Sequence, residues 1–222
     1  DQNEHPELSL EHGERISMFL DCSLNDDSTA LVACRVSDGF VKPLGVWQKP
    51  AGERGKDWRV PRESVDDAVR AAFHAYDVVG FFGDPSHVLD SETGLRYWDS
   101  LFDRWHRDYG RRLKTWAVPS GRDRHAVMFD MINTDIQRRF VTAVDQAYTD
   151  IAEGDFPHDG DARLRLHMLN ARRQPTRVGM SIAKESRESK RKIDLAICAI
   201  GARMVRREYL NRNSRSGGGQ LW

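Results

Sequence analysis

Three aspartates stand where an apolar segment ends or a helix begins, and their carboxylates are the first candidates for chemistry. Asp21 closes the apolar run 16–20, and Asp84 closes a second run over 78–83. Asp194 falls in the first turn predicted for the last helix. A buried strand rarely carries a carboxylate unless the charge is paired or coordinates a metal. The alternative is structural, because aspartate also ends strands as a turn residue and favours the positive end of a helix dipole.

Taken together, the three carboxylates indicate a metal site. Hard oxygen donors that converge on one point suit Mg²⁺ or Mn²⁺. Two such ions, about 3.5–4 Å apart, can clamp the attacking and leaving oxygens of a phosphodiester, with a metal-activated water as nucleophile. Each carboxylate can also bridge both ions and offset their charge. The residues therefore predict two-metal-ion hydrolysis of a phosphodiester.

The elements that must position these aspartates indicate an α/β fold. Residues 15–37 form a predicted strand, turn and strand, and a third antiparallel strand follows over 40–48. An amphipathic helix comes next, and then the buried strand that ends on Asp84, an order that requires a parallel crossover. Later predictions are helices over 91–109, 124–151, 161–172 and 192–210, a fifth strand over 113–118, and a short strand or half a hairpin over 177–183.

Composition narrows the class of protein. The 222 residues make one large domain or two small ones, with 39% hydrophobic and 31% charged residues, a profile typical of soluble proteins. No apolar run approaches the ~20 residues that a membrane helix needs, so no membrane partner is expected. Cys22, Cys34 and Cys198 show no CxxC spacing, which favours a reducing compartment and argues against disulfides or structural zinc.

Basic residues concentrate near the end of the chain. The net charge is zero, but residues 184–215 hold ten basic and four acidic side chains. Such a segment is typical of a surface that binds a polyanion. A solvated helix face, balanced by acids elsewhere, is the alternative that charge alone leaves open.

The order of several motifs resembles the nuclease domain of tailed-bacteriophage terminase large subunits, which belong to the RNase H-like superfamily. The resemblance spans residues 16–207 and is carried by FLDCSLNDDSTALVACRV, GVWQKP, WRVPRESVDDAV, YDVVGFFGDP, LRLHMLNARR and KRKIDLAICAIGA. It implies an RNase H-like mixed sheet, with an antiparallel three-strand start and then parallel strands, flanked by helices. One departure is Cys22, where many relatives have glycine after the first aspartate.

The resemblance also implies roles for individual residues. Asp21, Asp84 and Asp194 match the catalytic metal ligands. Asp27 matches an additional acid near the metals, and a plain turn aspartate is the alternative. His167 matches a position that assists the leaving group, or it packs as a core histidine. The expected DNA-binding strip lies within 172–192 and consists of Arg172, Arg173, Lys184, Arg187, Lys190, Arg191 and Lys192.

The same resemblance implies a biological setting. The expected activity is metal-dependent endonucleolytic cleavage of concatemeric double-stranded DNA during genome packaging, in the cytoplasm of the infected bacterial host. Expected partners are the DNA, the portal, the small terminase subunit and an N-terminal ATPase motor domain. This chain lacks the motor, because its nearest match to a P-loop, at 52–57, has neither the spacing nor the Ser/Thr. The expected domain spans 15–212, after a linker or N-terminal extension over 1–14 and before a flexible tail over 213–222.

Two other functions remain open from the sequence. The first is a different RNase H-like nuclease, such as a junction resolvase or a ribonuclease, which would share the carboxylates. The second is a non-catalytic module that docks a packaging-motor partner, with Trp47, Trp58 and Trp98 as interface candidates. Substrate tests separate the nucleases, and loss of cleavage on replacing Asp84 separates an enzyme from a docking module.

Overall fold

A four-stranded mixed sheet forms the centre of the molecule. The structure is a computed structural model, and it describes residues 2–24, 28–90, 93–186 and 189–217. The strands are β1 (Arg15–Asp21), β2 (Thr29–Arg35), β3 (Val41–Trp47) and β4 (Asp77–Asp84). Their order is β3-β2-β1-β4, with β1–β2 and β2–β3 antiparallel and β1–β4 parallel. The predicted antiparallel start followed by a parallel strand is therefore confirmed.

Helices cover both faces of the sheet. The helices are α1 (Arg62–Ala75), α2 (Asp99–Tyr109), α3 (Thr134–Glu153), α4 (Ala162–Asn170) and α5 (Asp194–Gly217). Ile16, Met18 and Leu20 of β1 pack with α1 and α2 on the first face. Phe19 points to the second face, where it packs with α3 and α5. The alternation follows from the two-residue period of a strand, and it makes β1 a strand buried on both faces.

The segment 113–129 differs from its prediction. Residues 113–118, predicted as a fifth strand, form a single parallel bridge between Thr115 and Gly80 and are not a continuous strand. The helix predicted from 124 begins only at Thr134, where the Asn133 side chain caps the backbone N–H groups of Asp135 and Ile136. The residues before this cap run extended beside the end of β4, since Gly83 donates to Val127 O and Phe129 donates to Gly83 O.

One further helix begins later than predicted, whereas a predicted hairpin strand is confirmed. The helix predicted over 91–109 begins at Asp99. The segment 177–183, predicted as a short strand or half a hairpin, contains the second arm of a hairpin, β5 (Arg172–Thr176) with β6 (Gly179–Ala183). Since β5 contains Pro175 and has no alternating apolar pattern, its pairing with β6 was not visible in the sequence.

The first residues of the chain contact the sheet edge. His158 bridges Val41 of β3 on one side and Glu4 on the other, in parallel register. The Asn3 side chain, 5% exposed, donates to Ile151 O and accepts from Phe156 N.

At the other end of the chain, α5 continues to Gly217. The domain limits 15–212 stay a prediction. No helix within the described ranges is both long and apolar enough to span a membrane.

Candidate metal centre

The ends of β1 and β4 place two of the predicted aspartates side by side. Asp21 and Asp84 are register partners in the parallel pair, after Leu20 opposite Gly83. Cys22 N donates to Asp84 O at 3.1 Å, so the pairing continues one residue past the strand end. Because the carboxyl ends of parallel strands meet at one edge of a sheet, both carboxylates belong to the same edge.

Helix α5 brings the third aspartate to this edge. The Ser17 hydroxyl donates to Ala202 O at 2.8 Å, and the Cys198 thiol donates to Ala30 O at 3.0 Å. Gly201 allows the close approach, since a Cβ built there would lie 2.4 Å from the Phe19 ring. These contacts fix α5 across β1 and β2, and its first residue, Asp194, stands near the end of β1.

A cleft of about 330 Å³ opens between these elements. Asp21, Asp194 and Lys184 line it, together with Ser86 and Val88 from the segment that follows β4. Lys184 comes directly after β6, so the hairpin delivers a cation to the cleft that holds the two carboxylates. The carboxylates alone would repel an anionic substrate. An ammonium group on the same cleft can bind it.

Asp84 has a strongly perturbed carboxyl group. The pKa of Asp84 is raised to about 7, chiefly by burial, while the hydrogen bond from Met131 N lowers it and nearby Asp130 adds a smaller rise. That N–H donates to Oδ1 at 2.9 Å. A carboxylate in this position is costly to ionise without a cation, which makes it a functional-site candidate.

Asp194 is held by a neighbouring hydroxyl. Its side chain is buried, with 5% exposed, and the Ser28 hydroxyl donates a hydrogen bond to Oδ2.

Two buried thiols flank the centre. Burial raises the pKa of Cys22 and Cys198 well above the ordinary thiol value, and Asp21 adds to the rise in both. Both sulfurs are therefore protonated thiols at neutral pH and not thiolate ligands.

His167 occupies a structural position beside Asp194. The ring is 2% exposed, and its Nδ1 accepts from Leu195 N at 3.0 Å. Its Nε2 lies 3.2 Å from the Gln48 side-chain nitrogen. Burial, and then the charge of Lys192, lower the pKa of His167 to about 4. The neutral ring thus satisfies a backbone N–H at the start of α5, and the assignment of a leaving-group role stays a prediction.

The described basic residues of the predicted DNA-binding strip lie on the β5–β6 hairpin and on the segment that leads into α5. Arg172 and Arg173 are exposed on β5, where Arg173 lies over the Tyr148 ring at 5.4 Å. Lys190 and Arg191 are exposed, and Arg191 pairs with Glu185 at 3.2 Å. The Lys192 carbonyl accepts from the Asn170 side chain. Among the strip residues that the structure describes, Lys184 lines the cleft.

Solved structures share this arrangement of sheet and helices. The large terminase nuclease from thermophilic phage G20c with bound magnesium superposes with a TM-score of 0.55 and 12% identity, over 88% of this chain and 85% of that one. The large terminase of bacteriophage HK97 gives a TM-score of 0.60 and 15% identity, over 91% of this chain and 41% of that one. This chain has the large-terminase nuclease fold. That finding confirms the predicted RNase H-like architecture.

The curated proteins that resemble this chain in sequence come from mycobacteriophages. The Gene 13 proteins of Mycobacterium phages L5 and D29 are 39% and 38% identical to it over 212 residues. The chain spans 32% of the length of these curated relatives. No protein-family model matches the sequence.

Two of the predicted site residues, Asp27 and Arg187, fall outside the described ranges. In the described part of the chain, no three His, Cys, Asp or Glu side chains stand close enough together to hold one metal ion. Asp84 and Asp194 each have a protein donor on one carboxylate oxygen. The structure thus brings the three aspartates to one edge of the sheet, but not close enough together to coordinate a single ion. Their role as metal ligands stays a prediction.

Sequence reasoning missed a histidine–aspartate pair beside the centre. His87 Nε2 lies 2.8 Å from Asp130 Oδ1, and Arg96 lies 3.7 Å from the other oxygen of that carboxylate. Asp130 immediately precedes Met131, whose N–H binds Asp84. The pair therefore supports the backbone that holds Asp84. No local pattern marks it, because its two members lie 43 residues apart in the chain.

Proposed function

We propose that this chain is the nuclease domain of a phage large terminase, a metal-dependent endonuclease that hydrolyses phosphodiester bonds of double-stranded DNA. The observation that carries the proposal is the in-register pair Asp21 and Asp84, with Asp194 brought to the same edge of a large-terminase nuclease fold. Asp21 and Asp194 line one cleft with Lys184, and such a charged lining fits a phosphodiester substrate better than an apolar ligand.

The chemistry of the donor set fits a hard divalent cation. Asp21, Asp84 and Asp194 offer only carboxylate oxygens, which suit Mg²⁺ or Mn²⁺, and both flanking thiols are held protonated by burial. A cation would also favour the ionised form of Asp84, whose pKa is raised chiefly by burial. The G20c nuclease is known with bound magnesium and with bound cobalt. We propose two ions, with Asp27 as an additional ligand.

The bound ions would polarise the scissile phosphate and lower the pKa of a water nucleophile. The chain itself supplies orientation. Ser28 fixes Oδ2 of Asp194, and Met131 N fixes Oδ1 of Asp84. Lys184 at the cleft would contact a phosphate oxygen near the cut. His167, a neutral ring bound to Leu195 N, holds the start of α5 and so acts on the reaction through the position of Asp194.

The fold also suggests a setting for the reaction. The relatives are about three times as long as this chain, which leaves room in such proteins for the ATPase motor domain expected N-terminal to the nuclease. We propose that the domain cuts concatemeric viral DNA in the cytoplasm of the infected host, working with that motor, the portal and the small terminase subunit. Arg172, Arg173, Lys190, Arg191 and Lys192 would bind the DNA backbone, together with Arg187.

Digestion of supercoiled plasmid tests the proposal. The wild-type chain is incubated with Mn²⁺, Mg²⁺ or EDTA beside Asp21→Asn and Asp145→Asn, the latter an exposed aspartate on α3. We expect nicking and linearisation with metal, unchanged in Asp145→Asn and reduced at least roughly a hundredfold in Asp21→Asn, since loss of outer-shell partners alone costs 10–100-fold at metal sites.

A matched set of substrates separates the competing activities. Cleavage of an RNA–DNA hybrid or of a four-way junction in preference to linear duplex would favour another RNase H-like nuclease. Absence of cleavage on every substrate, combined with no Mn²⁺ binding by calorimetry, would favour the non-catalytic docking module. Equal activity of Asp21→Asn and the wild type would contradict the proposed centre.

A further inference from the structure

The loop between β3 and α1 is a second basic element at the candidate centre. Residues 49–59 hold four cations, Lys49, Arg54, Lys56 and Arg59, against two anions, Glu53 and Asp57. The loop contains one short 3₁₀ turn, Gly52–Gly55. In the sequence this stretch offered only the failed match to a P-loop at 52–57, and no ligand was assigned to it.

The start of this loop lies at the rim of the cleft. Trp47, the last residue of β3, pairs with Thr29, and the neighbouring Ala30 pairs with Asp21. The next residue, Gln48, contacts His167, whose ring binds the backbone directly after Asp194. The chain therefore enters the loop at the same sheet edge as the carboxylates.

The end of the loop returns to the same rim. Val60 N donates to Leu24 O at 2.9 Å, and Leu24 lines the cleft with Asp21. The Tyr97 hydroxyl holds the Val60 carbonyl at 2.9 Å. A loop of eleven residues with both ends fixed at the cleft can depart from it by no more than roughly 20 Å, given ~3.3–3.6 Å per extended residue.

The loop has a defined conformation. Gly55 is buried, and a Cβ at this position would lie 2.2 Å from the Pro50 carbonyl oxygen. Arg59 pairs with Asp90 at 3.0 Å, which ties the loop to the segment after β4. Arg54 and Lys56 lie between these anchors and are exposed. Their cationic groups are thus presented to solvent from a fixed support.

The loop and the β5–β6 hairpin connect to helices on opposite faces of the sheet. It leads into α1, which packs on the first face of the sheet. The hairpin instead packs against α3 on the second face, where Ile182 joins the core. Basic residues of the loop and of the hairpin therefore come from segments attached to opposite faces of the sheet, and we expect a duplex across the cleft to meet cations in two places.

We propose that loop 49–59 is a phosphate-binding element that holds the DNA duplex on the side of the cleft opposite the hairpin, with Arg54 and Lys56 as its contacting residues. This inference rests on the proposed function for the identity of the polyanion. Contacts of this kind position a duplex and carry no base specificity, because they reach only the phosphate backbone.

Salt-dependent binding of a 30-base-pair duplex tests the inference. Fluorescence anisotropy is measured in EDTA, so that cleavage does not contribute, for wild type, Arg54→Glu/Lys56→Glu and the milder Arg54→Gln/Lys56→Gln. The control is Arg111→Glu/Lys114→Glu, an exposed arginine and lysine near the start of β4, away from Asp84. Circular dichroism melting confirms that each variant is folded.

We expect both loop variants to bind at least about tenfold more weakly and to reduce the slope of log K against log salt by about two, since each phosphate contact contributes ~0.9. The control should keep the wild-type slope. Equal losses in loop and control variants would show diffuse attraction to any basic surface and overturn the inference. Wild-type affinity and slope in the loop variants would also overturn it. Failure of the wild type to bind duplex would overturn this inference, whereas binding without metal-dependent cleavage would overturn the nuclease proposal alone.

Discussion

Asp21 and Asp84 are register partners at the carboxyl ends of two parallel strands, so their backbones lie on neighbouring strands at the same level. Like charges on adjacent positions of a sheet are destabilising. Burial of Asp84 adds to this penalty and raises its pKa to about 7. The pair is therefore arranged at the expense of the stability of the metal-free protein.

Replacement of Asp84 by asparagine should stabilise the metal-free protein at high pH. Between pH 3.8 and about 7 the folded state keeps a proton that the unfolded state has lost, so the free energy of unfolding falls as the pH rises through this window. The difference between a pKa of 3.8 and one of about 7 corresponds to a change in the free energy of unfolding on the order of 4 kcal/mol. In EDTA at pH 8, thermal melting should show Asp84→Asn more stable than wild type, and the gap should close near pH 4.

The same melting experiment includes a metal arm and a control. Mn²⁺ should raise the melting temperature of the wild type at pH 8 and raise that of Asp84→Asn much less. Asp145→Asn, at an exposed site on α3, should follow the wild type in every condition. A sharp drop in the melting temperature of Asp84→Asn in EDTA at pH 8 would contradict this explanation.

Replacement of Ser28 by alanine should weaken metal binding without unfolding the chain. The Ser28 hydroxyl donates to Oδ2 of Asp194, and outer-shell partners of this kind are worth 10–100-fold in metal affinity. Calorimetric titration with Mn²⁺ should show an affinity at least about tenfold lower for Ser28→Ala. Ser28→Thr, which keeps the hydroxyl, should recover part of the loss. Equal affinity for Ser28→Ala and wild type would remove Ser28 from the centre.

His125 should make the segment beside Asp84 sensitive to acid. Its Nδ1 accepts from Val127 N and Met128 N, in the stretch that pairs with Gly83. Burial, and then His106, whose ring centroid is 4.5 Å away, lower the pKa of His125 to about 4, whereas Asp103 at 3.8 Å favours the charged form. Because the unfolded state binds the proton more tightly, stability is complete above pH 6.5 and is lost as the pH falls toward 4.

Chemical denaturation at pH 7.5 and pH 4.5 measures this effect. The difference between a pKa of 6.5 and one of about 4 corresponds to on the order of 3 kcal/mol. His125→Gln should be less stable than wild type at pH 7.5 but should lose less stability on acidification. His12→Gln, at an exposed histidine, provides the matched control. An identical acid response in His125→Gln and wild type would show that other groups dominate the acid sensitivity.

Substitution of Gly201 by alanine should destabilise the domain and displace α5. An alanine normally favours a helix over glycine by about 1 kcal/mol. Here the added Cβ would lie 2.4 Å from the Phe19 ring, and overpacking of a core costs about 1–3 kcal/mol. Urea denaturation should therefore give a lower free energy of unfolding, and the double variant Phe19→Leu/Gly201→Ala should recover part of it. Gain of stability in Gly201→Ala would show that α5 can move away freely.

Local signals determined much of the fold. The order of three antiparallel strands, a helix and a parallel strand follows from short apolar runs, turn residues and one amphipathic helix, each of which acts over a few neighbours in the chain. The same signals placed Asp21 and Asp84 at strand ends. They were wrong where they predicted a helix from 124, because Val127 and Phe129 pair with Gly83 of β4 and His125 pairs with Val118, and such pairing overrides local propensity.

The sequence by itself thus determined the aspartates that are candidates for metal binding and the order of the elements that carry them. Tertiary structure decided which groups stand around them. Ser28 reaches Asp194 across 166 residues of sequence, and His87 reaches Asp130 across 43. Likewise, only packing shows that both ends of loop 49–59 lie at the cleft. Contacts between distant segments leave no periodic pattern in the sequence, since each depends on how sheet and helices pack together.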